Sequence, residues 1–129
     1  DSREYQQAAT YYAYAKDLCE HYNFDRSKYR LCAKEKRFAA ITRSDFAKLK
    51  EDLQFLDNAL KTVLSEYQDY FRERFVEGLS IRKYAEVHHL NRGSVDYRQK
   101  KFFSALAQLL KERDGAEGRC RLRKPAQTE

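Results

Sequence analysis

The sequence contains no methionine and no tryptophan, and its 129 residues include only one proline and four glycines. Proline and glycine interrupt helices and strands, so their scarcity argues against a loop-rich chain and favours regular structure. Hydrophobic residues make up 42% of the chain, which is enough to form a core and argues against a disordered protein. The length suits one compact domain.

Long apolar runs are also absent. No segment approaches the roughly 18–20 apolar residues that a membrane span needs. No basic segment followed by an apolar one resembles a signal peptide at the N-terminus. We therefore expect a cytoplasmic protein that has no membrane partner.

Residue patterns that bind metals or carry out catalysis are missing as well. Cys19, Cys32 and Cys120 are too few and too scattered for a disulfide framework, and no C-x-x-C pair is available for zinc. Neither a glycine-rich phosphate loop nor an H-E-x-x-H motif occurs. His88 and His89 would point about 100° apart on a helix, which does not suit joint coordination of one metal ion. We expect no metal, no cofactor and no enzymatic activity.

Positive charge is concentrated in the C-terminal half of the chain. Residues 1–69 carry 12 basic and 12 acidic side chains, whereas residues 70–129 carry 14 basic and 8 acidic ones. The second half therefore accounts for the whole net charge of +6. Such asymmetry indicates a localised anionic partner, and the alternative is a basic surface without one.

Residues 1–64 form the first predicted region, a set of helices for packing or self-association. A helix is predicted from Glu4 to about Tyr22, followed by a break in which Asp25 caps a second helix. Six of the ten tyrosines lie within the first 29 residues. They are expected either to fill a core or an interface, or to form a surface for stacking bases.

A heptad-like seam follows within residues 46–63. Its apolar positions recur in steps of three and four: Phe46, Leu49, Leu53, Leu56, Leu60 and Val63. Phe55 and Ala59 widen the stripe, which favours the core of a helical bundle. A homodimer through the same residues is the alternative.

Residues 65–114 form the second predicted region, and residues 115–129 a basic, flexible tail. Ser65-Glu-Tyr-Gln68 matches a capping box and predicts a helix start at Ser65. Gly78 suits the end of that helix, Ser80 caps a short helix, and Asn91 caps the last one. Overall we predict an all-α helical bundle with a C-terminal helix-turn-helix.

The outward face of the last helix carries the candidate site. With Val95 pointing into the core, small and cationic residues point away from it. Arginine can bond guanine, lysine can meet phosphate, and Gly93 permits close approach of the backbone. We predict contacts to double-stranded DNA by eight residues: Arg92, Gly93, Ser94, Asp96, Tyr97, Arg98, Lys100 and Lys101.

The sequence RFVEGLSIRKYAEVHHLNRGSVDYRQKKFFSAL, residues 74–106, resembles the helix-turn-helix of the fourth conserved region of bacterial sigma factors. It is also similar to ArpU-type regulators of phages and mobile elements, and the resemblance covers residues 65–112. It implies a sequence-specific, DNA-binding transcription regulator that contacts DNA through residues 92–97 and the basic residues after them. Such a regulator acts by recruiting RNA polymerase or by occlusion.

Two departures from the family pattern affect this expectation. His88 and His89 replace the usual small or acidic residue and glycine before Leu90, so we expect a differently built turn. Asp96 stands where many relatives have a basic or polar contact, so the family's base specificity does not transfer. The alternative function is a helical protein–protein interaction module that binds RNA polymerase or another acidic partner.

Overall fold

The computed structural model describes the backbone of residues 2–35 and 43–116, and the side chains of residues 6–33 and 44–116. These ranges contain the helices α1 (Ser2–Glu20), α2 (Tyr22–Glu35), α3 (Arg43–Lys61), α4 (Gln68–Phe71), α5 (Ile81–Val87) and α6 (Arg92–Ala116). A 3-10 turn, Ser65–Tyr67, precedes α4, and a π-helical turn, Arg72–Val76, continues it. No strand occurs in the described ranges, and the all-α prediction is confirmed.

Helices α1 and α6 pack side by side. The ring of Tyr12 meets the ring of Phe103 edge-on at 5.7 Å, and Tyr11 and Ala15 are buried beside α6. The tyrosines described in α1 and α2 are buried or half-buried: Tyr11, Tyr12, Tyr14, Tyr22 and Tyr29. Their interpretation as core residues is confirmed, because all five lie in the core or pack against it. The sixth tyrosine, Tyr5, lies outside the described side chains.

Aromatic rings fill the centre of the molecule. Phe102 of α6 lies 5.1 Å from Tyr67 and 6.2 Å from both Tyr70 and Phe71, measured between ring centroids. Phe102 and the adjacent Phe103 are both fully buried. One continuous core therefore joins side chains from both predicted regions, 1–64 and 65–114.

Most of the predicted seam belongs to that core. Leu53, Leu56 and Leu60 are buried within the chain, which agrees with the bundle-core interpretation. Val63 does not follow the pattern and is 69% exposed. Because α3 ends at Lys61 and the backbone then turns, Leu64 is buried in its place. A homodimer through residues 46–63 stays a prediction.

Two predicted helix caps, at Asp25 and at Ser65, are wrong. Only His21 separates α1 from α2, and the backbone N–H of Asp25 already donates to the His21 carbonyl at 2.9 Å, so Asp25 lies inside the first turn. Ser65 begins a 3-10 turn without a side-chain cap. The amide of Gln68 donates instead to the Leu60 carbonyl at 2.7 Å and ties this turn to the end of α3.

A buried polar network links α1, α3 and α6. The Arg113 guanidinium donates to Asp52 at 3.0 Å, to Asp114 at 3.1 Å and to the Tyr14 hydroxyl at 3.0 Å. The Tyr14 hydroxyl donates in turn to Asp52 at 2.8 Å, and the Tyr11 hydroxyl donates to Asp114 at 2.6 Å. Charged groups in a core need such partners, and here each carboxylate has them.

The C-terminal part of the chain departs from the prediction at one point. Helix α6 continues through Gly115 and Ala116, so these two residues do not belong to a flexible tail. Residues 117–129, which include the predicted basic cluster, lie outside the described ranges. No helix among the described residues is both long enough and apolar enough to cross a membrane.

Candidate nucleic-acid interface

The segment before α5 is fixed by a glycine and an arginine. Gly78 has a φ of +85°, a conformation that glycine adopts without strain, and the next backbone N–H, of Leu79, donates to the Glu73 carbonyl at 3.0 Å. The Arg74 guanidinium donates to the Leu79 carbonyl at 2.8 Å and to the side chain of Gln99 at 2.5 Å. Arg74 therefore joins the approach to α5 with the body of α6.

Helix α5 is short and begins as predicted. The Lys83 N–H donates to the Ser80 hydroxyl at 3.0 Å, which makes Ser80 the N-cap. Tyr84 and Ala85 are buried, and the Tyr84 ring meets the Tyr70 ring edge-on at 5.1 Å. This packing holds α5 against the aromatic core.

Four residues, 88–91, connect α5 to α6. His88 stacks on Tyr84 at 4.2 Å between ring centroids and hydrogen-bonds Glu73 at 2.6 Å. His89 has a φ of 56°, and the Leu90 N–H donates to the Ala85 carbonyl at 2.8 Å. The backbone at His89 thus has the left-handed conformation that glycine adopts without strain.

The first turn of α6 is capped by Asn91. Its side-chain oxygen accepts from the Ser94 N–H at 2.8 Å, as predicted from the sequence. A Cβ added at Gly93 would lie 3.3 Å from this same oxygen, so a larger residue would press on the cap. Val95 is 1% exposed and anchors the turn in the core.

The eight predicted contact residues lie on the surface around this turn. Seven of them are exposed: Arg92, Gly93, Ser94, Tyr97, Arg98, Lys100 and Lys101; Asp96 is half-buried. At 100° per residue they form two flanks on either side of Gly93 and Tyr97. The first flank carries Ser94, Arg98 and Lys101, and the second carries Arg92, Asp96 and Lys100.

The first flank borders a depression of about 310 Å³. Ser94, Tyr97, Arg98 and Lys101 line one side of it, and the other residues come from the 3-10 turn and from Leu90. The ammonium of Lys101 lies 5.5 Å from the centre of the Tyr97 ring, so these two side chains share one patch. Tyr97 is 65% exposed and Leu90 is 45% exposed, which leaves apolar surface between the cations.

Some cations elsewhere in the described chain are paired with acidic side chains. Arg72 pairs with Glu77 at 2.7 Å, Lys83 pairs with Glu86 at 3.1 Å, and Arg113 is enclosed by carboxylates. Among the described residues, no carboxylate lies within ion-pair distance of Arg92, Arg98, Lys100 or Lys101. Their charge remains available to an external anion.

The packing of α1 limits the length of this free surface. Ser104 points away from Val95 but lies at the groove where α1 meets α6, beside Tyr11 and Tyr12. The stretch of α6 that precedes this groove is residues 92–101, about 15 Å at 1.5 Å per residue.

Two supporting residues were not identified from the sequence. Arg74 was noted only as part of the family resemblance, although it connects Leu79 to α6. Glu73 was not singled out, although it holds His88. A helix wheel could not reveal them, because their partners Gln99 and His88 lie 25 and 15 positions further along the chain. Within the described ranges, no group of three or more His, Cys, Asp or Glu residues could hold a metal ion.

Comparison with models of protein families, with curated proteins and with solved structures gives no match to this chain.

Proposed function

We propose that the chain is a sequence-specific transcription regulator that binds double-stranded DNA through a sigma-region-four-like helix-turn-helix, formed by α5, residues 88–91 and α6. The observation that carries the proposal is the free end of α6. Its first ten residues, 92–101, hold four exposed cations and one acidic residue, and no ion pair with a described carboxylate neutralises the cations. DNA supplies closely spaced phosphates to such a surface.

The supporting contacts suit this role. A reading helix must be held at a fixed angle. Here Ser80 caps α5, Arg74 links Leu79 to α6, and His88 stacks on the buried Tyr84. The positive end of the α6 dipole and the unpaired cations lie at the same place, which favours an approaching phosphate. The resemblance of residues 65–112 to sigma region four points to the same function.

The first experiment selects binding sites from random duplex DNA with the full chain. Enrichment of one sequence pattern, read by sequencing, is the expected result. If the bound pool stays random while binding is strong, the chain is a nonspecific binder. If no duplex is retained, the DNA proposal fails.

The second experiment separates phosphate contacts from base contacts. Changing Lys100 and Lys101 to Ala should weaken binding to all duplexes and reduce the slope of log K against log salt by about one to two units. Changing Arg92 or Tyr97 to Ala should cost about 1–3 kcal/mol on the selected site and little on scrambled DNA. Lys111→Ala is the control, because it removes a cation from the part of α6 beside α1.

The second candidate function is a protein–protein module that binds RNA polymerase or another acidic partner. The exposed Leu90 and Tyr97 favour it, since apolar side chains among cations are common in protein interfaces. Leu90→Ser distinguishes the two functions. Loss of partner binding with unchanged DNA binding supports the module, and loss of DNA binding alone supports the regulator.

A further inference from the structure

A second cationic site lies away from α6, in a groove of about 230 Å³ between α2 and α3. Its lining residues with polar side chains are Tyr22, Arg26, Tyr29, Arg30, Lys50, Gln54 and Asp57. Arg26 and Arg30 are four residues apart on α2 and therefore share one face, while Lys50 projects from α3 on the opposite wall. Three positive charges thus converge on one concave surface.

These cations lack acidic partners. No described carboxylate lies within ion-pair distance of Arg26, Arg30 or Lys50. The groove contains one carboxylate, Asp57, which accepts a hydrogen bond from the Tyr22 hydroxyl at 3.1 Å. The formal charge of the lining is therefore +2, from three cations and one anion.

Contacts with neighbouring rings position Arg26 and Tyr22 in the groove. The Arg26 guanidinium carbon lies 5.8 Å from the centre of the Tyr22 ring, which places the arginine at the rim of the groove. The Tyr22 ring in turn packs edge-on against Phe71 in the core, at 5.0 Å. Burial, followed by the charge of Asp57, raises the pKa of the Tyr22 hydroxyl, which therefore stays protonated and able to donate.

We propose that the groove between α2 and α3 binds a phosphate group through Arg26, Arg30 and Lys50. A carboxylate has two oxygens in one plane and suits one arginine fork, whereas a phosphate presents three or more oxygens tetrahedrally to donors on two walls. The volume is smaller than the 300–1,000 Å³ typical of pockets for drug-sized ligands, so the bound part is the phosphate itself. None of these residues belongs to the predicted DNA surface, and the proposal does not depend on it.

The test is calorimetric titration of the full chain with inorganic phosphate. We expect saturable binding that weakens about tenfold or more in the double variant Arg30→Gln/Lys50→Gln, since each change removes a charge-assisted hydrogen bond. Lys61→Gln is the matched control, because Lys61 is an exposed cation at the other end of α3 and does not line the groove. Absence of saturable binding, or equal weakening in the control, overturns the proposal.

A variant that is expected to bind phosphate more tightly separates an effect on binding from a folding defect. Asp57→Asn keeps an oxygen that accepts from Tyr22 but removes the negative charge, so it should bind phosphate several-fold more tightly than the parent. Unchanged or weaker binding by this folded variant also overturns the proposal.

Titrations with adenosine monophosphate and with a short DNA duplex then identify the source of the phosphate. Tighter binding of the nucleotide than of inorganic phosphate indicates a nucleotide ligand, and equal binding indicates free phosphate. A fall in duplex affinity in Arg30→Gln/Lys50→Gln indicates a DNA backbone phosphate. Each of these results identifies the ligand of the groove only if Arg30→Gln/Lys50→Gln also weakens the binding of inorganic phosphate.

Discussion

Replacing Arg113 by glutamine should destabilise the protein more than any other single loss of charge among the described residues. The side chain of Arg113 is 9% exposed, and those of its partners Asp52 and Asp114 are 7% and 2% exposed. Burial lowers the pKa of Arg113, but the hydrogen bonds and charge interactions with Tyr14 and Asp52 outweigh it, so the pKa is raised overall and the guanidinium stays charged. Glutamine would leave both carboxylates buried without this cation.

The expected cost is about 3–5 kcal/mol, the usual range when one partner of a buried ion pair is removed. Without Arg113, Asp52 keeps a weaker contact with Lys48 at 3.8 Å, and Asp114 keeps the hydrogen bond from the Tyr11 hydroxyl at 2.6 Å. At roughly 4 °C per kcal/mol for a domain of this size, Tm should fall by roughly 12–20 °C.

Thermal and urea unfolding followed by circular dichroism measure this effect. Lys111→Gln, a change on the same helix outside the network, should stay within about 0.5 kcal/mol of the parent. A double-mutant cycle that combines Arg113→Gln with Asp52→Asn should show non-additive losses of stability, with a coupling free energy of about 0.5–3 kcal/mol. If Arg113→Gln costs no more than Lys111→Gln, the network does not stabilise the fold as we describe.

Three further predictions concern the corner, the core and the response to alkali. His89→Gly should leave stability unchanged or raise it by up to about 1 kcal/mol, because the left-handed backbone is strained for histidine, whereas His89→Val should lower it by about 1 kcal/mol in urea unfolding. Leu56→Asp should unfold the chain, whereas Val63→Asp on the same predicted seam should not; equal circular dichroism spectra for the two would contradict the core assignment. Burial raises the pKa of the Tyr22 hydroxyl in the folded protein. Its contribution to folding stability is therefore fully present below the unfolded-state pKa of about 10 and is lost as the pH rises above that pKa. Tyr22→Phe should therefore be less sensitive to alkali in unfolding curves, and an unchanged slope would contradict this.

Local patterns predicted what depends on neighbours in sequence. The burial of Leu53, Leu56 and Leu60 follows from their spacing, and the caps at Ser80 and Asn91 follow from side chains that bond the adjacent turn. The exposure of the first turns of α6 was predicted in the same way, from Val95 and a helical period.

Features that depend on distant residues or on the ends of helices were not predicted. The Tyr11–Asp114 bond joins residues 103 positions apart, and no local pattern marks either of them as a buried partner. The prediction that Val63 is buried was wrong. It required α3 to continue to residue 63, whereas α3 ends at Lys61 and the turn that follows buries Leu64 instead. For the candidate site, the exposure of residues around the first turns of α6 follows from the helical period, whereas the depression that Ser94, Arg98 and Lys101 share with the 3-10 turn depends on tertiary packing.

The pairing of α1 with α6 also determines the order in which the chain can fold. During synthesis, Tyr12 of α1 emerges about 90 residues before Phe103 of α6, against which its ring packs. At roughly 5–20 residues per second, the face of α1 that carries Tyr12 waits roughly 5–20 s for the helix that covers it. Helices α2 and α3 can associate in the meantime, but the core closes only when α6 has formed. Translation that stops before residue 100 would leave an apolar, tyrosine-rich helix without its partner, and such a product is expected to aggregate or to be degraded.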